Sequence, residues 1–200
     1  RSKSRWMSTS AWWRSEMKVV YADNNATTAV APEVLDAMLP WLKDQYFNPS
    51  SMYEAARAPA RAVDQARRRA ARLLGGVATE EILFTGSATE SNNTAIFGAI
   101  AANPARRHIV TSAVEHQAVL EVCREARRHG CEVDFIPVDR RGNLDRAAYV
   151  RALRADTLLV SLMHGNNETG VLFPVGDLAR IAKETDPSIL FHTDATQTIG

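Results

Sequence analysis

Short apolar runs alternate with longer segments of helical periodicity along most of this chain. The apolar runs predict strands at 82–84, 108–111, 133–136, 157–163 and 189–193. Apolar residues spaced three and four positions apart predict helices at 90–102, 117–129, 145–153 and 175–184. Because strands that alternate with helices form βαβ units, the pattern predicts an α/β fold with a mainly parallel sheet and right-handed crossovers.

The segment before residue 81 has a less regular pattern. Residues 19–21 form a short β-prone run that ends at the turn cluster Asp23-Asn24-Asn25. Pro32 and Pro59 each predict the start of a helix. No internal repeat or domain boundary is visible after Met17, so 17–200 is predicted to form one unit.

Residues 1–16 differ from the rest of the chain. They show neither a strand period nor a helix period, are rich in Arg and Ser, and contain three of the four tryptophans. A transit peptide has a composition of this kind. We favour a disordered extension at 1–16, with the folded part beginning at Met17.

Composition excludes several classes of function. The formal net charge of +1 does not favour nucleic acid or a membrane surface as a partner. No apolar run reaches the roughly 18 residues of a membrane span. Cys123 and Cys131 are the only cysteines, which argues against a disulfide framework and favours a reducing, cytoplasmic setting.

Polar clusters follow four of the predicted strands. Small and hydroxyl residues at 85–93 open a helix, where free N–H groups and the helix dipole favour an anion such as phosphate, although a capping box would explain the same residues. The other three strand ends carry an imidazole, two amides, and a carboxylate with an amide: His116, Asn166-Asn167, and Asp194 with Gln197. Since parallel strands end at one edge of a sheet, these groups are predicted to converge on a single ligand.

Each signal also has a structural explanation when it is taken alone. Asp194 is typical of a helix cap, and a single histidine such as His116 is more often structural than catalytic. Metal binding by His116, His164, His192 and Asp194 is not supported, because only His192-x-Asp194 has close spacing. The converging groups instead favour a ligand with a phosphate, a flat ring and a cationic ring nitrogen. Pyridoxal 5'-phosphate (PLP) fits, because its electron-sink chemistry relies on a carboxylate at the ring nitrogen.

Six motifs then identify a family. In chain order they are DNNATT (23–28), NPSS (48–51), ATES (88–91), EH (115–116), NNETG (166–170) and HTDATQTIG (192–200). They resemble the motifs of the NifS/IscS-type cysteine desulfurases, in the class V aminotransferase group of fold-type I PLP enzymes. The resemblance implies an α/β three-layer sandwich with a mainly parallel sheet, of which 17–200 would be the amino-terminal part of the major domain.

The resemblance also implies roles for six residues. Ala88 and Thr89 would bind the phosphate of the cofactor. His116 would stack on the pyridine ring and take part in proton transfer. Asn167 would contact the cofactor or the substrate. Asp194 would pair with the ring nitrogen, and Gln197 would bond the ring hydroxyl.

Enzymes of this type remove sulfur from L-cysteine and leave alanine and an enzyme-bound persulfide, which serves iron–sulfur cluster assembly. The resemblance implies a homodimer with a sulfur-acceptor or scaffold protein as partner. The Schiff-base lysine and the persulfide cysteine of the family lie beyond the position of Gly200, so this chain alone is expected to be inactive. A related class V aminotransferase, a selenocysteine lyase and a non-catalytic scaffold that holds half of the cofactor site are the alternatives.

Overall fold

The computed structural model describes residues 19–199, which form six α-helices and four β-strands. The helices are α1 (Pro32–Lys43), α2 (Arg57–Leu73), α3 (Ala88–Ala102), α4 (Gln117–Arg128), α5 (Arg146–Ala152) and α6 (Val175–Thr185). The strands are β1 (His108–Ser112), β2 (Glu132–Ile136), β3 (Thr157–Ser161) and β4 (Leu190–His192). Short 3-10 turns at Glu54–Ala56 and Thr79–Glu81 precede α2 and α3.

The four strands form one parallel sheet in the order β2-β1-β3-β4. A helix connects each strand to the next one along the chain, as the alternating pattern predicts. The register places Ser112 opposite Ile136 and Ser161 opposite His192. The carboxyl ends of the strands therefore lie together at one edge of the sheet.

Helices cover both faces of the sheet. In the central strands, Ile109 and Leu159 pack with α3 and α4, whereas Val110 and Val160 pack in the cluster that contains α5 and α6. Both strands are buried along their whole length, as expected where helices cover both faces. The chain forms a three-layer sandwich, and the predicted fold class is confirmed.

Helix α4 shows how local sequence places a site residue. Val119, Val122 and Cys123 recur at helical spacing and are buried in the core between the helices and the sheet. His116 caps the helix by accepting a hydrogen bond from the main-chain N–H of the second helical residue. Gly130, with φ at +85°, supplies the left-handed conformation that ends the helix before β2.

One strand prediction is wrong. Residues 82–84 belong to no strand of the described sheet, and Leu83 and Phe84 are exposed. The β-prone run at 19–21 forms no strand of this sheet either. A run of three β-prone residues shows only that their side chains suit a strand. A strand also needs a neighbouring strand that supplies its hydrogen bonds.

The last strand is only partly buried. Ile189 is fully buried, but Leu190 is 39% exposed, because β4 lies at the outer side of the described sheet. Similarly, α1 forms where Pro32 predicts it, yet none of its residues is buried. The sequence pattern therefore predicts that α1 and β4 form, but it does not predict how deeply they are buried.

The predicted disordered extension at 1–16 lies outside the described residues. Among residues 19–199, no helix combines the length and the apolar character needed to cross a membrane.

Candidate functional site

A cavity of about 380 Å³ lies at the carboxyl edge of the sheet. The loops after β1, β3 and β4 form its wall together with the first turn of α3. All of the predicted site residues line this one cavity: Ala88, Thr89, His116, Asn167, Asp194 and Gln197. The structure therefore brings the six residues together, while the role of each one stays a prediction.

The amino-terminal turn of α3 reaches the cavity through Ala88 and Thr89. N–H groups in a first turn have no partner within the helix, and the helix dipole adds positive character, so this end favours an anion. Ser87 Oγ accepts from the N–H of Glu90 at 3.2 Å, and the Glu90 carboxylate accepts from the N–H of Gly86 at 2.7 Å. Capping is therefore present as well, and it orders the turn that faces the cavity.

Asp194 follows β4 and is held in a fixed direction. Its Oδ2 accepts from Nδ2 of the buried Asn92 at 2.9 Å, and its Oδ1 accepts from the main-chain N–H of Thr196 at 3.0 Å. Desolvation by itself would raise the pKa of Asp194, but these bonds and the nearby His192 hold the pKa below its usual value. Asp194 is therefore an oriented, partly buried anion at neutral pH.

His116 lies on the cavity wall at the N-cap of α4. Its Nδ1 accepts from the main-chain N–H of Ala118 at 3.1 Å. Because Nδ1 is the acceptor, the neutral ring carries its proton on Nε2. One edge of the imidazole is thus fixed by the backbone, and Nε2 is the atom that can exchange a proton.

The two adjacent asparagines after β3 differ in their contacts. Asn166 is buried and holds its own loop, since its Oδ1 accepts from the N–H groups of Glu168 and Thr169 at 3.0 and 2.9 Å. Its Nδ2 donates to the carbonyl of Val114 at 3.0 Å. Asn167 lines the cavity and is the member of the pair that is available to a ligand.

Glu115 was not predicted as a site residue, yet it joins two of the site loops. It is 4% exposed, and its Oε1 accepts from Ser112 Oγ at 2.6 Å and from the N–H of Met163 at 3.0 Å. Its Oε2 is buried and has no partner among the described residues. Burial raises the pKa of Glu115 to about 7, although the two hydrogen bonds oppose the shift. The motif Glu115-His116 gives no sign of this burial.

Asn25 lines the cavity and was not predicted as a site residue either. Its Nδ2 donates to the main-chain carbonyl of Asn167 at 3.1 Å, and its own carbonyl accepts from Gln197 Nε2 at 3.2 Å. The turn cluster at 23–25 predicts the bend in the chain. It does not predict contacts with partners 142 and 172 positions away.

Gly165 allows the loops after β3 and β4 to approach each other. A Cβ at this position would lie 2.7 Å from Thr198 Cγ2 and 3.2 Å from Leu172 Cδ2. The hydroxyl of Thr198 is bonded to His164 Nδ1 at 2.9 Å, which restricts how far that side chain can move. Glycine is therefore required sterically beside the cavity.

Within residues 19–199, neither a lysine nor a cysteine lines this cavity. Lys43 ends α1, and Lys183 donates to the carbonyl of Ile189, which precedes β4 at the opposite edge of the sheet. Cys123 and Cys131 are buried, and burial raises the pKa of the Cys123 thiol to about 12. In the same part of the chain, no group of three or more His, Cys, Asp or Glu residues is placed to hold a metal ion.

Comparisons with known proteins match most of the chain. The family model described as aminotransferase class-V matches residues 20–200. A cysteine desulfurase from Cereibacter sphaeroides is 54% identical over 185 residues, which are 92% of this chain and 47% of that protein. The chain therefore spans about half the length of the curated relatives it matches.

Solved structures give the same likeness. A structure described as a NifS-like protein has a TM-score of 0.85 at 38% identity, over 88% of this chain and 48% of that one. A structure of SspA in complex with cysteine has a TM-score of 0.83 at 37% identity, over 89% and 51% of the two chains.

Proposed function

This chain belongs to the class-V aminotransferase family, and we propose from this membership that the complete protein is a PLP-dependent cysteine desulfurase. Relatives named cysteine desulfurase and the solved structure of a NifS-like protein support this proposal. The activity is proposed for the complete protein, because the chain spans 47% of its relative from Cereibacter sphaeroides.

One observation carries the proposal. An oriented carboxylate (Asp194), an imidazole (His116) and the amino terminus of α3 line the same cavity at the carboxyl edge of a parallel sheet. These groups fit the ring nitrogen, the ring face and the phosphate of PLP. The volume of about 380 Å³ is also in the range of small-molecule and cofactor sites.

Bound PLP supplies an electron sink for the amino-acid substrate. The residues of this chain would bind and orient it. The N–H groups of Ala88 and Thr89 would hold the phosphate, and the amide of Gln197 would bond the ring hydroxyl. Asp194, whose pKa is lowered, would hold a proton on the ring nitrogen.

His116 and Asn167 would act on the substrate side of the cofactor. An adjoining cavity of about 510 Å³ shares both residues with the first one, so they stand between the two spaces. His116 would pack against the ring and exchange a proton through Nε2, because Nδ1 is occupied by the backbone. Asn167 would contact the cofactor or the substrate with its side-chain amide.

We propose L-cysteine as the substrate. Its Cβ–S bond would break, the sulfur would form an S–S bond with a cysteine thiol of the complete protein, and the carbon skeleton would take up a proton to leave as alanine. The similar fold of SspA, whose structure holds cysteine, supports this choice. Cys123 and Cys131 do not fit the role of the thiol, since both are buried.

The persulfide sulfur would pass to an acceptor or scaffold protein for iron–sulfur cluster assembly. We propose that the complete protein acts as a homodimer in the cytoplasm, where the two buried free thiols of this chain remain reduced.

The complete gene product, loaded with PLP, tests the proposal. With L-cysteine and a thiol reductant, it is expected to release alanine and sulfide in equal amounts, and Asp194→Ala is expected to lose this activity. A protein that binds PLP but forms no alanine from L-cysteine would contradict the proposal. Turnover of selenocysteine alone would favour the lyase alternative.

A further inference from the structure

The amino-terminal turn around Asn25 has hydrogen bonds of its own. The N–H of Ala26 donates to the carbonyl of Asp23 at 3.1 Å. The Tyr21 hydroxyl lies 2.7 Å from the carbonyl of Asp23 and 2.8 Å from that of Thr27, and its single hydrogen can serve either one. Tyr21 therefore links the two ends of the turn and fixes the position from which Asn25 projects.

Asn25 connects two site loops that do not follow each other in the chain. Its side chain donates to the main chain of Asn167 after β3, and its main chain accepts from the side chain of Gln197 after β4. Asn167 and Gln197 both line the cavity. A shift of the turn would therefore move two predicted cofactor contacts at once.

The bond to Gln197 also fixes the direction of an amide. The side chain of glutamine has two N–H donors on Nε2 and one carbonyl acceptor. With one N–H tied to the carbonyl of Asn25, the amide plane is restrained, and the second N–H remains for another acceptor. The ring hydroxyl of PLP is such an acceptor under the proposed function.

We propose that Asn25 is a positioning residue, which holds the loop of Asn167 and the amide of Gln197 in the arrangement that binds the cofactor. This inference rests on the proposed function, because it assigns the role through PLP. Asn25 acts through other residues and is not itself a catalytic group.

The competing explanation is that Asn25 merely forms the turn. Asn and Asp both favour turns, but only Asn has an amide that donates to a carbonyl. Asn25→Asp therefore keeps the size and turn preference of the side chain and removes the donor. Asn24→Asp is the matched control, because Asn24 lies in the same turn and makes no hydrogen bond among the described residues.

The experiment uses the complete gene product and PLP as the probe. The dissociation constant of PLP is measured by titrating the apoprotein and following the visible absorption of the bound cofactor. Hydrogen exchange of peptides that cover 164–171 is measured in the apoprotein, and thermal unfolding checks that each variant is folded. For Asn25→Asp we expect the dissociation constant to rise about two- to tenfold, as for one lost hydrogen bond, with faster exchange in 164–171.

The control Asn24→Asp is expected to match the wild type in both measurements. Equal PLP binding and equal exchange in the two Asp variants would overturn the inference. Impairment by Asn25→Ala but not by Asn25→Asp would also overturn it, since the turn alone would then explain the effect. If the wild type does not bind PLP, the proposed function fails, whereas faster exchange in Asn25→Asp alone would still support the contact with the Asn167 loop.

Discussion

Asn92 and Asp194, which are 102 positions apart, meet in a hydrogen bond of 2.9 Å from Nδ2 to Oδ2. Asn92 lies in the second turn of α3 and is 3% exposed, whereas Asp194 follows the last strand. The helix whose first turn reaches the cavity thus also fixes the direction of the carboxylate. The predicted phosphate end and the predicted ring-nitrogen end of the site are therefore held at a constant separation.

Replacing Asn92 by Ala should weaken both the fold and cofactor binding. The change leaves a partly buried carboxylate oxygen without its donor, which costs about 1–3 kcal/mol, and it should raise the pKa of Asp194. Urea unfolding of the apoprotein and titration with PLP measure the two effects. Asn103→Ala is the control, because Asn103 bonds within its own helix end, far from the cavity. Equal stability and equal PLP affinity of the two variants would contradict the prediction.

The candidate residues could be predicted from the sequence because each follows a predicted strand or opens the next helix. Parallel topology then brings strand ends together, so His116 and Asp194 could be expected to meet without knowledge of any contact. Asn25, Asn92 and Glu115 could not be assigned in this way. Their roles depend on contacts between distant segments and on burial, and a local pattern of residues contains neither.

The fold shows the same division. The central strands are continuous apolar runs and α4 has a strong helical period, and these signals predict the elements within a few residues of their observed ends. Residues 82–84 have the composition of a strand, but hydrogen-bond partners decide whether a strand forms. The burial of α1 depends equally on what packs against it, and its period describes only the helix itself.

Glu115 should make stability depend on pH. Its pKa is 4.5 as an ordinary carboxyl and about 7 in the fold, so the folded state binds more protons than the unfolded state between these values. The contribution of Glu115 to the free energy of unfolding should therefore fall as pH rises from about 5 to 7, by up to about 3 kcal/mol, and then level off. Burial lowers the pKa of His108 and of His192, and their contributions run in the opposite direction, so the difference between the wild type and a Glu115 variant isolates this group. The negative charge of Asp194 also helps to raise the pKa of Glu115. Urea unfolding at intervals between pH 5 and 8 measures the slope.

The substitution Glu115→Gln should remove the contribution of Glu115 from this slope, because the amide does not ionise. Glu80→Gln is the matched control, since Glu80 is exposed in the short turn before α3 and should leave the slope of the wild type unchanged. A slope in Glu115→Gln equal to that of the wild type would assign the pH dependence to another group.

Cys123 and Cys131 should resist alkylation in the native protein. Both are buried, and burial raises the pKa of Cys123 to about 12, so almost no thiolate forms at neutral pH. Peptide mass spectrometry after brief treatment with iodoacetamide at pH 7.5 should find both unmodified, and both modified once the protein is unfolded in urea. If Cys123 is modified in the native protein as fast as in urea, its thiol is accessible. Burial would then no longer exclude Cys123 as the nucleophile.

Gly165→Ala should damage the site by a steric effect that a second substitution can relieve. The new Cβ would lie 2.7 Å from Thr198 Cγ2, and moving Thr198 would disturb its bond to His164 and the neighbouring Gln197. Overpacking of this kind costs about 1–3 kcal/mol and should also weaken PLP binding. Thr198→Ser deletes the methyl group and keeps the hydroxyl, so the double variant should recover most of the loss in urea unfolding and in PLP titration.

Gly176→Ala in α6 is the control, because a Cβ there meets no atom within 4 Å, and this variant should be neutral or slightly stabilising. If the double variant is no better than Gly165→Ala, the contact with Thr198 is not the reason that glycine is required.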